Sequence, residues 1–306
     1  METVRTIRLV AAEGDLRLDK HISQSYEELT RSFVQKLIED GLVTVNGRPA
    51  KASLKPRKGD VIVVQVPPPS PAPTLIPEPI PLSIVYEDRD ILVVNKPAGI
   101  TVHPAPGHPS STLMNAILSH CPEVLAIDSS LRPGIVHRLD KDTSGLMVVA
   151  RNKAAHLNLA GQMKNRRILK RYKVLVRGCP SPEEGVIEAP IGRHPKDRKR
   201  MAIVPGGREA RTLYRVLKRL DGYALVEATL HTGRTHQIRV HFSSIGCPVA
   251  GDPVYGVRMP FLTRQFLHAF LLGFKLPGTG ESVEFRSELP ADLQEALWLL
   301  SAEARR

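Results

Sequence analysis

The residues with the densest chemical potential lie between Gly134 and Ala150, in the run Gly-Ile-Val-His-Arg-Leu-Asp-Lys-Asp-Thr-Ser-Gly-Leu-Met-Val-Val-Ala. Five of the six positions from His137 to Asp142 are ionisable: His137, Arg138, Asp140, Lys141 and Asp142. Apolar and β-branched residues bracket them, Ile135-Val136 before and Leu146 to Ala150 after, so the segment reads as strand, polar loop, strand, closing on Ser144-Gly145. If extended, Arg138 and Asp140 share a face. An ionised Asp140 in such a loop is suited to nucleophilic or proton-transfer chemistry. Read alone, the same residues also describe a capped turn whose acids accept backbone N–H bonds while Arg138 pairs one of them at the surface.

Three more stretches carry chemistry. Lys164 to Lys173 holds six basic residues in ten and runs into a strand headed by Tyr172. Gly192 to Met201 is a second basic cluster, bounded by Pro190, Pro195 and Pro205-Gly206-Gly207, which reads as an exposed loop able to grip RNA phosphates. Thr232 to His241 reads as a glycine turn starting a helix that carries Gln237 and Arg239. His236 and His241, five apart, do not match the three- or four-residue spacing of a helical metal pair, so no metal is indicated.

His-Arg-Leu-Asp followed by Lys-Asp-Thr-Ser-Gly resembles the catalytic motif of the pseudouridine synthases that modify large-subunit ribosomal RNA, the RluA/RluD family, without a gap from Gly134 to Arg151. Val93 to Pro104, Val-Val-Asn-Lys-Pro-Ala-Gly-Ile-Thr-Val-His-Pro, resembles a first block of that family, and Thr232 to His241 a third. The resemblance implies that Asp140 is the catalytic carboxylate, that Tyr172 lies against the target uracil, where stacking contributes about 1 to 3 kcal/mol, and that Arg239 pairs with Asp140. Such a pairing favours the ionised carboxylate by roughly 1 to 3 pKa units. It implies a flipped uridine, with loops and bulges as the easiest substrates, and no cofactor, since the reaction is an isomerisation. Pro97 and Gly99 restrict the backbone beside Lys96, which points to a structural role for that lysine.

The implied fold is α+β, a mixed and largely antiparallel central sheet with flanking helices, and the local patterns agree with it. Helices are predicted from Ser111 to His120, from Asn152 or Lys153 to Asn165, and from Ala291 to Arg305, the last with Leu293, Leu297, Trp298 and Leu300 available for packing. Strands are predicted at Ile84 to Tyr86, Ile91 to Asn95, Tyr172 to Val176, Thr212 to Val216 and Tyr223 to Leu230. Residues 1–66 form a separate pattern: a helix capped by Thr30 and ending at Gly41, with Phe33, Val34, Leu37 and Ile38 on one face, then short strands around Asn46-Gly47. This resembles the small RNA-binding domain named after ribosomal small-subunit protein four, which implies that Arg31 and Lys36 face RNA. Between the two, residues 67–81 contain eight prolines in fifteen positions and are predicted to be a semi-rigid spacer. The catalytic domain then spans residues 82–306.

Charge agrees with a polyanionic partner. The chain carries 43 Lys/Arg against 31 Asp/Glu, net +12, and residues 151–241 alone hold 21 against 7, net +14. Arg138, Arg166, Arg167, Lys170, Arg171, Arg193, Lys196, Arg198, Lys199 and Arg200 are the candidate RNA contacts of the catalytic domain, with ribosomal RNA the first candidate partner and transfer RNA left open. Cys121, Cys179 and Cys247 are odd in number and far apart, which suggests a reducing cytoplasmic compartment. The first fifteen residues lack a secretory pattern, and Phe266 to Leu276, broken by His268, Gly273 and Lys275, is too short to cross a bilayer. No protein partner and no nucleotide-cradling glycine loop are indicated. Two rivals are an RNA-binding assembly factor on the same fold, which needs no Asp140, Tyr172 and Arg239 set, and a metal-dependent hydrolase using Asp140 and Asp142, which needs further clustered acids.

Overall fold

Apolar side chains gather into separate cores, and the chain divides into units Met1–Thr74 and Leu75–Arg306. The computed structural model describes residues 4–12, 16–26, 28–67, 75–105, 107–128, 130–198 and 200–303. Lys199, Arg305 and most of the first half of the proline-rich segment lie outside the described residues. No described helix is long and apolar enough to cross a membrane.

The first unit contains β1 (Arg5–Val10), α1 (Leu18–Ser25), α2 (Arg31–Glu39), β2 (Val43–Val45), β3 (Arg48–Pro49) and β4 (Val61–Val66), with an antiparallel sheet in the order β1-β4-β2-β3. The Thr30 hydroxyl accepts the Phe33 N–H at 3.4 Å to start α2, and Gly41 takes the left-handed φ of 75° that lets the chain leave it. Val34, Leu37 and Ile38 are buried, whereas Phe33 sits at the margin of that face, 37% exposed. Buried Asp19 on α1 ties the helices together, accepting from Arg31 Nε at 2.9 Å and Gln35 Nε2 at 2.6 Å. Lys36 is exposed and Arg31 about half exposed.

In the second unit β5 (Ile84–Glu87), β6 (Ile91–Lys96), α3 (Leu113–His120), β7 (Ser144–Ala150), α4 (Lys153–Lys164) and β8 (Leu169–Arg177) come first. They are followed by β9 (Glu184–Glu188), β10 (Ile191–Arg193), β11 (Met201–Ile203), β12 (Arg211–Leu220), β13 (Tyr223–Leu230), α5 (Gln237–Ser244), β14 (Leu267–Lys275), β15 (Ser282–Arg286) and α6 (Ala291–Glu303). The large sheet runs β5-β6-β7-β14-β8-β13-β12-β9, with β15 also on β14; its β7–β14 pair is parallel and the other pairs are antiparallel. It is the mixed sheet with flanking helices that the sequence predicts. β7 is buried at every residue, as a strand covered on both faces must be.

Four local readings change. Ile135-Val136 makes a single bridge, Ile135 to Val149, and not a strand, because the chain turns there to cover the edge of β7 that diverging β14 leaves open. Gly134, at φ 75°, packs against the Ala150 backbone, where a side chain would collide with the Ala150 carbonyl oxygen. The basic stretch 192–201 is the turn and flanks of the β10–β11 hairpin and not a free loop. Leu293, Ala296 and Leu300 of α6 are buried, but Trp298 falls on the opposite side of the helix and is 68% exposed. Residues 75–80, read as spacer, are docked on the second unit: Leu75 is in its core, and Asn115 on α3 donates to Ile76 O at 2.7 Å and accepts through its carbonyl from Glu78 N–H at 3.0 Å.

Candidate active site

Buried loops must satisfy their backbone polar groups, and the Asp140 loop does so with side chains from elsewhere. Lys96, at the end of β6 and fully buried, donates from Nζ to Lys141 O (3.0 Å), Pro97 O (2.7 Å) and Ile100 O (3.0 Å). Burial pulls its pKa down to about 7; three carbonyl acceptors nevertheless match the three N–H bonds that only the ammonium has. Gly99 N–H also reaches Lys141 O at 3.0 Å, Arg264 Nη1 donates to Asp142 O at 3.1 Å, and Thr143 N–H closes the turn onto Asp140 O at 3.1 Å. Val148 N–H of β7 donates to His137 Nε2 at 3.1 Å, and burial holds that imidazole at about 3, so it is a neutral acceptor. The His137 ring and the backbone carbonyls of Lys141 and Asp142 are therefore bound into the fold, unlike those of a surface turn.

The carboxylate itself is met from α5. Arg239 Nη1 donates to Asp140 Oδ2 at 3.0 Å, while its Nε and Nη2 form a two-pronged pair with buried Asp252, at 2.6 and 2.9 Å. Burial opposes the charge on Arg239, but Asp252 and then Asp140 outweigh it and raise its pKa. Asp252 is ionised for the reciprocal reason: burial opposes the charge and the Arg239 hydrogen bonds prevail. Asp252 thus fixes the guanidinium, leaving one prong for Asp140. His236, the residue before α5, holds a left-handed φ of 56° and sets Nε2 3.9 Å from Asp140 Oδ2. Tyr255 Oη accepts Met201 N–H at 2.7 Å and shares a hydrogen bond with His236 Nδ1 at 2.9 Å, which holds the imidazole in place beside the carboxylate.

Tyr172 reaches the same place from β8. Tyr172, Ala269 and Gly145 stand in one row across β8, β14 and β7, and the Tyr172 ring is 5% exposed, with burial and then the Asp140 charge raising its phenol. A cavity of about 460 Å³ opens over these groups, within the roughly 300 to 1,000 Å³ usual for ligand pockets. Among the described residues Asp140 is the one acid in its wall, against Arg132, Arg138, Lys170, Arg208, Arg234 and Arg239.

The structure therefore brings together Asp140, Tyr172, Arg239, Arg138 and Lys170. It separates others. Arg171 lies between Lys170 and Tyr172 and so points to the opposite face of the sheet, 3.5 Å from Glu227. Arg166 pairs with Glu209 at 3.0 Å, and Arg167, Arg193, Lys196 and Arg198 are exposed outside the cavity wall. Arg200 stacks on the Tyr255 ring at 5.2 Å, with Arg239 5.1 Å from the same ring. Residue types and spacing do not single out His236 as a neighbour of Asp140, nor Asp252 and Tyr255, which lie in the run Gly-Asp-Pro-Val-Tyr-Gly. An acid beside a proline and glycine is the signal present there, and its partner thirteen positions earlier is not visible from spacing.

Comparison with known proteins identifies the family. Residues 90–244 match the RNA pseudouridylate synthase family and residues 16–62 the S4 domain. An uncharacterized RNA pseudouridine synthase of Bacillus subtilis is 48% identical over 282 residues, covering 92% of this chain and 93% of that protein. Ribosomal large subunit pseudouridine synthase D of Zymomonas mobilis is 45% identical over 293 residues, 91% of this chain and 92% of that one. The structure of human RNA pseudouridylate synthase domain containing 1 superposes with a TM-score of 0.56 at 34% identity, covering 69% of this chain and 84% of that one. Sheet, matched domains and near full-length relatives together make the chain a member of the RNA pseudouridine synthases, enzymes that isomerise uridine within RNA.

Proposed function

We propose that this synthase acts on uridines of large-subunit ribosomal RNA and that Asp140 is its catalytic carboxylate. The observation that carries the reading is the single carboxylate in a cationic cavity, held by Arg239 at 3.0 Å with Tyr172 beside it. In the isomerisation the C1′–N1 bond breaks, the base rotates while held, the C1′–C5 bond forms, and the C5 proton is lost while N1 regains one. Asp140, ionised and oriented by Arg239, starts this by adding to the nucleotide or by taking a proton from it. Tyr172 stacks on the uracil, and its raised phenol stays neutral throughout. Arg138, exposed beside Asp140, contacts the RNA around the flipped nucleotide. Arg166, Arg167, Arg193, Lys196, Arg198 and Arg200 bind phosphates outside the cavity.

The substrate reading draws support from relatives named as ribosomal large subunit synthases. Residues 1–66, with Arg31 and Lys36, serve as a second RNA-binding domain, and the catalytic domain, read from the sequence as 82–306, takes in residues 75–81 as well. A cytoplasmic site of action accords with the three free cysteines. The decisive experiment is Asp140→Ala: the purified variant binds RNA at near the wild-type level and forms no pseudouridine. Retained turnover sinks the assignment. Mapping pseudouridine in ribosomal and transfer RNA from cells with and without the protein tests the substrate, and sites lost only from transfer RNA would reassign it.

A further inference from the structure

Two buried lysines in the second unit differ in one respect. Lys96 has three carbonyl acceptors, whereas Lys170, 7% exposed, has no hydrogen-bond acceptor and no ion-pair partner among the described residues. Lys170 leaves β8 on the same face as Tyr172, two residues before it, and lines the same cavity. A buried ammonium without a partner is costly unless an anion comes to it.

Its charged neighbours in the cavity wall are cations but for Asp140. Burial first and then neighbouring Arg234 lower Lys170 to about 8, and Arg234 is itself lowered by burial, Arg208 and Arg166. Glu209, the acid that acts on Arg234, is two-thirds exposed and engaged by Arg166 at 3.0 Å, and Asp140 in the cavity wall is taken by Arg239. Arg234 is fixed in place, its Nε donating to Glu209 O at 2.9 Å and its N–H to Gln237 Oε1 at 2.9 Å. Gly233 keeps the space beside Lys170 open: a side chain there would begin 3.7 Å from the Nζ. A wall in which cations outnumber the acid, with Lys170 lacking a partner of its own, defines a place for an anion.

We propose that Lys170, Arg234 and Arg208 form a phosphate subsite that receives one of the two phosphodiesters flanking the flipped uridine. The subsite draws the nucleotide in by its backbone and sets the sugar in register with the carboxylate, so it rests on the reading of Asp140 as the reacting group. A phosphodiester supplies the single diffuse negative charge and the acceptor oxygens that one ammonium and two guanidinium groups can share. Lys170 is then a binding residue for the nucleotide, distinct from the exposed cations that hold RNA outside the cavity.

The test is a linkage scan. A short RNA substrate is made with a neutral methylphosphonate at each flanking linkage of the target uridine in turn, and at a remote linkage, and assayed with the wild type, Lys170→Met and Lys170→Arg. In the wild type one flanking replacement raises KM about tenfold or more, the worth of a charge-assisted hydrogen bond, and the remote one has a small effect. In Lys170→Met the natural RNA already shows a raised KM, and the flanking replacement adds less than it does in the wild type, because Arg234 and Arg208 remain; Lys170→Arg responds like the wild type. Equal penalties in the wild type and Lys170→Met, or a lowered kcat with unchanged KM in Lys170→Met, overturn the proposal. If Lys170→Met does not fold, the wild-type scan decides, and no excess penalty at either flanking linkage rejects it. Asp140→Ala separates the two readings: its RNA affinity keeps the same linkage dependence if the subsite is real, whereas turnover in that variant would remove the carboxylate reading and leave the linkage result standing.

Discussion

Asp140 owes its position to a residue that never touches it. Asp252 takes two prongs of Arg239 and leaves the third, so Asp252→Asn should free the guanidinium to turn away from the carboxylate. Because Arg239 and Asp252 are both buried, weakening their pair costs up to roughly 3 to 5 kcal/mol of stability, read as a lowered midpoint in denaturant unfolding. Pseudouridine formation should fall by about 100-fold in kcat, the order of effect that misplacing a catalytic group produces, with RNA affinity little changed. An unaltered kcat would show that Arg239 does not orient Asp140. Lys170 offers a pH test. It is an ammonium below about pH 8 and loses its charge above, so KM for RNA should rise as pH passes through that value. Of the groups around it, His137 is already neutral, and Arg234 and Tyr172 keep their charge state across that interval. The profile should flatten in Lys170→Arg, and persistence of the same rise there would point to another group.

At the level of elements, the catalytic loop is ordered because its carbonyls are taken up by Lys96 from β6 and by Arg264 from the segment before β14. Lys96→Met leaves the Pro97 and Ile100 carbonyls without a donor and Lys141 O with the Gly99 N–H alone, and each group left unpaired away from water costs about 1 to 3 kcal/mol. A strongly destabilised variant, with hydrogen exchange accelerated first at residues 139–143, is the expected result; unchanged exchange there would mean that the loop holds its shape without the clasp. The β10–β11 hairpin presents Arg193, Lys196 and Arg198 to solvent. Its tip is linked inward through Met201 N–H and Arg200 to Tyr255, and from Tyr255 to His236 and Arg239.

For the whole molecule, a net charge of +14 in residues 151–241 makes RNA affinity depend steeply on salt. Replacing Arg193, Lys196 and Arg198 together by Ser should flatten the plot of log affinity against log salt by about 2, since each phosphate no longer neutralised by a cation lowers the slope by roughly 0.7 to 0.9. An unchanged slope would mean that the hairpin does not touch the backbone of the substrate. Binding and chemistry are thus divided: exposed cations grip the polyanion, and the cavity, with one acid among six cations, selects what enters.

Much of this is present in the order of residues. The periodic apolar faces, the proline-rich break, the band of positive charge and the loop around Asp140 are local patterns, and local patterns survive being read one stretch at a time. The partners across long separations are another matter. Asp140 and Arg239 are 99 positions apart, and only family resemblance joins them before the chain is folded. Nothing in composition distinguishes Lys170 from Arg171, or Lys96 from either, yet one cation faces the cavity unpaired, the next crosses to Glu227, and the third clasps a loop. Strand alternation places neighbours on opposite faces but does not say which face will be roofed by α5 and which covered by other charges. That choice is made when β14 enters between β7 and β8 and sets the row from Tyr172 through Ala269 to Gly145, a long-range pairing whose energy belongs to the assembled sheet and to none of its strands alone.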